Sequence, residues 1–176
     1  IDRDISTKKY ADKLKKIYKD RFSFQNKKFS ELLSFNPENI EFDFIIFDLG
    51  LSSMQLLDLD RGFSFNSKSS VDMRMGLNSI SANEVINSFS QSTLNDIFKF
   101  FGDEKESFKI SKNIINYRKK NAILSNIELA KIIKKSKKTN FNNKINVSTK
   151  VFQALRIFVN KEFSELINGL IGATKL

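Results

Sequence analysis

Asp48 closes an apolar run, Phe42 to Leu49 (FDFIIFDL), and Gly50, Ser52, Ser53 and Gln55 follow it closely. A carboxylate at the end of a hydrophobic strand, beside a glycine, is how an open α/β sheet presents reacting groups at its carboxyl edge. Gly50 lets the backbone pass close to a ligand. Gln55 both donates and accepts hydrogen bonds; the structural alternative is that these residues cap the next helix. Asp2, in IDRD ahead of a helical pattern, has the position of an acid that accepts ribose hydroxyls in a nucleotide-binding βαβ unit, or of a simple helix cap. Phe29 follows a second candidate strand, where an aromatic ring stacks on adenine for roughly 1–3 kcal/mol or else joins the core. Arg61, Asp72 and Arg74 lie in the polar stretch DRGFSFNSKSSVDMR. They are candidates for a loop that closes over the site, or else pair among themselves and order the loop.

The rest of the inventory narrows the chemistry. Cysteine and histidine are both absent, which excludes disulfides, thiolate and imidazole metal ligands, cysteine nucleophiles and histidine bases within these 176 residues. No metal site is expected. Carboxylate, hydroxyl, amide, lysine and arginine remain.

Elements must hold these groups in place. Ser6 and Thr7 precede KKYADKLKKIYK, in which Tyr10, Leu14 and Ile17 recur at helical spacing. Arg21 to Gln25 alternates like a short strand, Phe29 to Phe35 suits a short helix, and Pro37-Glu38-Asn39 turns the chain into the strand Phe42 to Leu49. From Asn78 to Lys138 the spacing predicts three or four short helices. Capping boxes mark two of them, at Ser81-Ala82-Asn83-Glu84 and Ser125-Asn126-Ile127-Glu128, and Gly102 suits a helix stop after the stripe Leu94, Ile97, Phe98, Phe101. Thr139 to Ser148 reads as a loop. Phe152, Leu155, Val159, Phe163, Leu166 and Leu170 then mark one face of a single long helix.

These patterns predict an α/β protein: part of an open sheet over residues 1–76, a helical region over 77–148, and a helix over 149–176 that returns to the first domain. The length suits one core, or one core with a small satellite. The start at Ile1 and the stop after a helical pattern suggest a piece of a longer enzyme. With no long apolar run and no leader pattern, a cytoplasmic location is expected.

Charge is uneven. Residues 105–150 carry 13 Lys plus Arg against 2 Asp plus Glu, while the whole chain nets +10. With Phe108, Tyr117 and Phe141 among the charges, this suits a phosphate backbone. Ordinary solvation of helix surfaces in a lysine-rich and asparagine-rich chain is the other reading.

The blocks DLGLSSMQL, DRGFSF, VDMRM, FGDE and VFQALRIFVNKE, in this order across nearly the whole chain, resemble the bacterial small-subunit rRNA cytosine-N4 methyltransferase family (RsmH/MraW). The resemblance implies a Rossmann-like domain that binds S-adenosyl-L-methionine, interrupted by a helical substrate-recognition domain. It implies that Asp2 contacts ribose, that Phe29 lies beside adenine, and that Asp48 and Gln55 complete the cofactor contacts. It further implies 16S rRNA or the small ribosomal subunit as partner, with a cytosine in the P-site decoding region as target. Lys150 stands where the family usually has arginine.

Reaction chemistry agrees independently. Methylation at carbon 5 of cytosine ordinarily needs a thiolate adduct, whereas the exocyclic N4 needs in-line approach and a proton acceptor. Asp48, or a backbone carbonyl near Leu49 and Gly50, is the candidate acceptor. The target base must leave its stack, at a cost of a few kcal/mol. The competing expectation is a noncatalytic RNA-binding fragment with an incomplete cofactor pocket. A DNA amine methyltransferase would carry an Asn/Asp-Pro-Pro-aromatic motif, which is absent.

Overall fold

The computed structural model describes residues 1–35, 42–137 and 146–176. Their α-helices are α1 (Lys8–Tyr18), α2 (Ser53–Leu57), α3 (Ala82–Ser88), α4 (Gln91–Gly102), α5 (Ser107–Arg118), α6 (Asn126–Ser136), α7 (Thr149–Asn160) and α8 (Glu162–Ala173). Short 3-10 helices occur at Ile5–Thr7, Lys19–Arg21, Phe29–Ser34 and Leu59–Arg61. None of these helices is long and apolar enough to cross a membrane.

Among the described residues there is no strand, which overturns the expected α/β class and its Rossmann-like sheet. Alternation in a sequence states which side chains favour burial; a strand exists only when a neighbouring segment completes its hydrogen-bond ladder. The Asp2 N–H donates to the Gln25 carbonyl at 3.1 Å, but this bond belongs to no ladder. Phe22, just after Lys19–Arg21, is extended at φ −136° and ψ 129° without becoming a strand. Residues 42–49 also run without ladder partners, and Phe44 and Ile46 are 87% and 90% exposed. The predicted turn at Pro37-Glu38-Asn39, most of the loop after Thr139, and Phe141 lie outside the described residues.

The described residues form two compact units. The first comprises Ile1–Leu49, Met75–Leu77 and Lys161–Leu176. Here α1 forms as its 3.6-residue pattern requires, with Lys8 and Asp12 paired across one turn at 2.8 Å. Its apolar stripe does not find a core: Tyr10, Leu14 and Ile17 are exposed and Ala11 alone of the helix is buried. Helix α8 packs on Phe29–Ser34 through Gly169 and Gly172. A Cβ at Gly169 would lie 2.8 Å from Phe29 Cβ, and one at Gly172 would lie 2.6 Å from the Leu32 carbonyl carbon, so the missing side chains set the approach. Glu165 of α8 also accepts from the Ser30 N–H at 3.0 Å, satisfying a donor at the start of that 3-10 helix.

The second unit comprises Gly50–Arg74 and Asn78–Asn160. Its core takes Leu94 and Phe98 from α4, Ile110 and Ile114 from α5, Leu129 and Ile133 from α6, and Val151 and Leu155 from α7, all fully buried. Each such side chain contributes roughly 1.5–3 kcal/mol on burial. Both predicted capping boxes form: Ser81 Oγ accepts from Glu84 N–H at 3.2 Å and Ser125 Oγ from Glu128 N–H at 3.3 Å. Gly102 is the last residue of α4, and the left-handed stop falls one residue later, on Asp103 at φ 46°. A Cβ on Gly102 would collide with the Lys150 carbonyl, so this glycine serves the α4–α7 approach rather than the turn.

The single long helix expected after Ser148 is two helices. Lys161 adopts φ 51° and ψ 37°, a left-handed residue that no continuous α-helix accommodates, and α8 begins at Glu162. The apolar register passes through this break unchanged, so periodicity alone did not reveal it.

Candidate active-site loop and nucleic-acid interface

Within the first unit, Asp2, Phe29 and Asp48 sit on segments that are tied to one another. Besides its bond to Gln25, Asp2 accepts on its carbonyl from Asn26 Nδ2 at 2.8 Å, three residues before Phe29. The Phe29 ring meets Phe47 edge-on, with centroids 5.2 Å apart and planes at 88°, and Asp48 follows Phe47 directly. The Asp48 side chain is exposed. The helix-capping alternative for Asp2 falls to its neighbour: Asp4, 3% exposed, accepts from the Ser6 N–H at 3.0 Å and its hydroxyl at 2.7 Å. Asp2 Oδ1 instead accepts from the Asp4 N–H at 2.7 Å. Burial lowers the pKa of Arg3, against the raising charges of Glu165, Glu162 and Asp2, and its Nε donates to the Gly76 carbonyl at 3.0 Å.

The other sequence candidates belong to the second unit. Gln55 is buried, and its side chain closes a capping box with Ser52. Gln55 Oε1 accepts from Ser52 N–H at 3.0 Å, and Ser52 Oγ accepts from Gln55 N–H at 3.2 Å. Arg61, Asp72 and Arg74 converge. Arg74 grips Asp72 with Nε and a terminal nitrogen at 2.8 and 2.7 Å, and Arg61 donates to the Arg74 carbonyl at 3.0 Å. Burial pushes the Asp72 pKa up, but the hydrogen bonds and charge of Arg74, with the charge of Arg61, outweigh it and hold the carboxyl below its usual range. The Arg61 guanidinium lies 5.5 Å from the Phe63 ring centre. Gly62, at φ 73°, has room for no side chain: a Cβ would lie 2.6 Å from Asp72 N and from Ser70 O.

Three asparagines that the sequence reading did not single out brace this loop. Buried Asn126, at the start of α6, donates to the Gly62 carbonyl at 2.7 Å and to the Ser64 carbonyl. Buried Asn160 donates to the Met73 carbonyl at 2.7 Å, and Asn78 donates to the Val159 carbonyl and to Asn160 Oδ1. A signal existed for Asn160: it directly follows Val159, at the end of the run of residues that α7 buries.

The structure also sorts the cations of residues 105–150. Arg118 turns inward and donates to the Ile86 and Phe89 carbonyls, and burial lowers its pKa. Lys137 contacts nearly buried Glu104 at 2.5 Å, and Lys150 holds Asp103 at 2.9 Å, so FGDE is a bracing motif. Lys119, Lys120 and Lys135 are exposed. They line an open groove of about 560 Å³ between α5 and α6 with Tyr117, Asn113 and Asn116. No group of described acidic residues could hold a metal ion.

A family profile described as the MraW methylase family matches residues 1–176. The chain belongs to the MraW methylase family. It is 41% identical to ribosomal RNA small subunit methyltransferase H of Ehrlichia canis, covering 100% of this chain and 60% of that protein. It is 43% identical to the protein of the same name from Rickettsia canadensis, covering 94% and 53%, and 40% identical to that from Rickettsia africae, covering 100% and 57%. The chain thus spans little more than half the length of these MraW relatives, and the ordered motif blocks of the sequence fall inside the matched span.

Proposed function

We propose that this chain is part of an S-adenosyl-L-methionine-dependent rRNA methyltransferase that modifies the N4 amine of a cytosine in the P-site decoding region of 16S rRNA, in the cytoplasm. The observation that carries the reading is an exposed Asp48 carboxylate, next to the Phe29–Phe47 ring pair, in a chain whose whole length matches a methylase family. The relatives' name, ribosomal RNA small subunit methyltransferase, supports the substrate class.

The residues of the first unit suit the cofactor's chemistry. Asp2 offers a half-exposed carboxylate for hydroxyls, and Phe29 offers a half-buried ring beside which an adenine stacks. When bound, S-adenosyl-L-methionine supplies an electrophilic methyl that an amine accepts directly, with loss of a proton from nitrogen. Asp48 is the acceptor for that proton, and its solvent contact lets it pass the proton on. Gln55 supports the backbone turn after Gly50 through its capping box, a positioning role rather than a direct contact. The Arg61–Asp72–Arg74 network holds its loop in one shape, so that ordering does not oppose substrate binding.

The test incubates undermethylated small ribosomal subunits with the protein and isotopically labelled S-adenosyl-L-methionine, then analyses the nucleosides by mass spectrometry. Label in N4-methylcytidine is expected. Label in another nucleoside overturns the assigned position. RNA binding without cofactor binding or label supports the noncatalytic alternative instead.

A further inference from the structure

We infer that the groove between α5 and α6 is a binding site for single-stranded RNA, with Lys119, Lys120 and Lys135 on the phosphates and Tyr117 against a base. This inference rests on the proposed rRNA substrate and places a contact to it on particular residues.

Sequence charge alone does not locate such a site, because the cations divide into two kinds. Arg118 satisfies the Ile86 and Phe89 carbonyls, Lys137 is committed to Glu104 and the Val147 carbonyl, and Lys150 is committed to Asp103. These charges are consumed by the fold. Lys119 and Lys120 follow α5 and Lys135 lies on the last turn of α6, and all three are exposed at the groove. None of the groove's described lining residues is acidic, so nothing there offsets the positive potential.

The groove is more than a charged face. Its floor includes Ile132 and the half-buried Tyr117 ring, an apolar surface of the kind on which a nucleobase stacks. Asn116, exposed one helical position before Tyr117, offers both a donor and an acceptor to a base edge. Asn113 is held by its donation to Ser136 Oγ at 2.8 Å, and Ser136 in turn donates to the Ile132 carbonyl at 2.7 Å, which fixes the two walls together. Cations on the rim and an aromatic floor match an unpaired strand. A duplex hides its base faces and leaves Tyr117 without a partner.

The test measures binding of a short fluorescent cytidine-rich oligoribonucleotide by anisotropy across a salt series, without cofactor. The triple variant Lys119→Ala/Lys120→Ala/Lys135→Ala is expected to weaken binding and to flatten the salt dependence by roughly 2 in log–log slope, at about 0.7 per phosphate contact. Tyr117→Ala should weaken binding roughly tenfold while Tyr117→Phe retains it, and an abasic oligomer of equal charge should bind more weakly than the natural one. A triple alanine variant of Lys13, Lys15 and Lys16 on α1 controls for loss of charge. Equal losses in the two triple variants, unchanged binding by Tyr117→Ala, or equal binding of the abasic oligomer each overturns the inference. Labelled N4-methylcytidine with groove-independent RNA binding sinks this inference and leaves the methyltransferase reading standing; groove-dependent binding without any methyl transfer does the reverse.

Discussion

Asn160 donates its side-chain amide to the carbonyl of Met73, 87 positions earlier, at 2.7 Å. Met73 has φ 60°, a left-handed conformation that costs a non-glycine residue about 1–2 kcal/mol, so it persists because its surroundings hold it. Asn160 also donates to the Arg156 carbonyl at 2.8 Å and accepts from Asn78 at 3.1 Å. Asn160→Ala is expected to lower unfolding free energy by about 1–3 kcal/mol, because buried carbonyls lose their donor. Urea denaturation followed by circular dichroism measures it; an unchanged midpoint would show that the loop is held by other contacts.

Asp72 gives a pH signature. Burial raises its pKa but the Arg74 hydrogen bonds and the Arg74 and Arg61 charges lower it further, for a net depression. The folded state therefore binds this proton less readily than the unfolded state, and the contribution is complete above the ordinary carboxylate value of 3.8 and disappears as pH falls through the lower folded value. The Tm gap between the native protein and Asp72→Asn should accordingly be widest near neutrality and shrink in acid below that value. A gap independent of pH would mean that the pair does not hold the loop.

Glu104 and Lys137 form a pair that is 4% and 13% exposed. Their contact is close in distance, while Glu104 Oε2 lacks an aligned hydrogen bond, and Glu104 Oε1 accepts from the Glu106 N–H at 3.1 Å. Removing one partner leaves a buried charge, so Glu104→Gln and Lys137→Met should each destabilise by about 3–5 kcal/mol. The double variant should be less destabilised than the sum of the two. Strict additivity in a double-mutant cycle would show that the charges do not interact.

Asp48→Asn tests the proton acceptor. In the full-length protein, methyl transfer should fall by about a hundredfold to ten-thousandfold, the usual contribution of general-base catalysis, with folding unaffected because the side chain is exposed. Steady-state transfer and cofactor affinity are measured together. Full-rate transfer with unchanged affinity removes Asp48 from the chemistry.

The helices with local signals are legible in the sequence. Ser81 with Glu84 and Ser125 with Glu128 mark helix starts because a capping box closes within four residues, and the stripe of Leu94, Ile97 and Phe98 needs no partner to be recognised. The methylase motifs were equally readable, since they are runs of adjacent residues. The sheet was misread because pairing is not a property of one segment: residues 42–49 have the composition of a strand and no ladder. Gly102 ends its helix as a local signal suggests, but the space it leaves is required by Lys150, 48 positions away in the chain.

Amino-acid order thus sufficed for the family, the capped helices and the excess of positive charge, all of which depend on neighbours along the chain. Folding in three dimensions settled which cations pair within the fold, which asparagine holds Met73, and where Lys161 interrupts a continuous apolar register. Those outcomes hinge on partners 32 positions away for Arg118 and 87 for Asn160, and no local periodicity encodes a contact between side chains and carbonyls so widely separated.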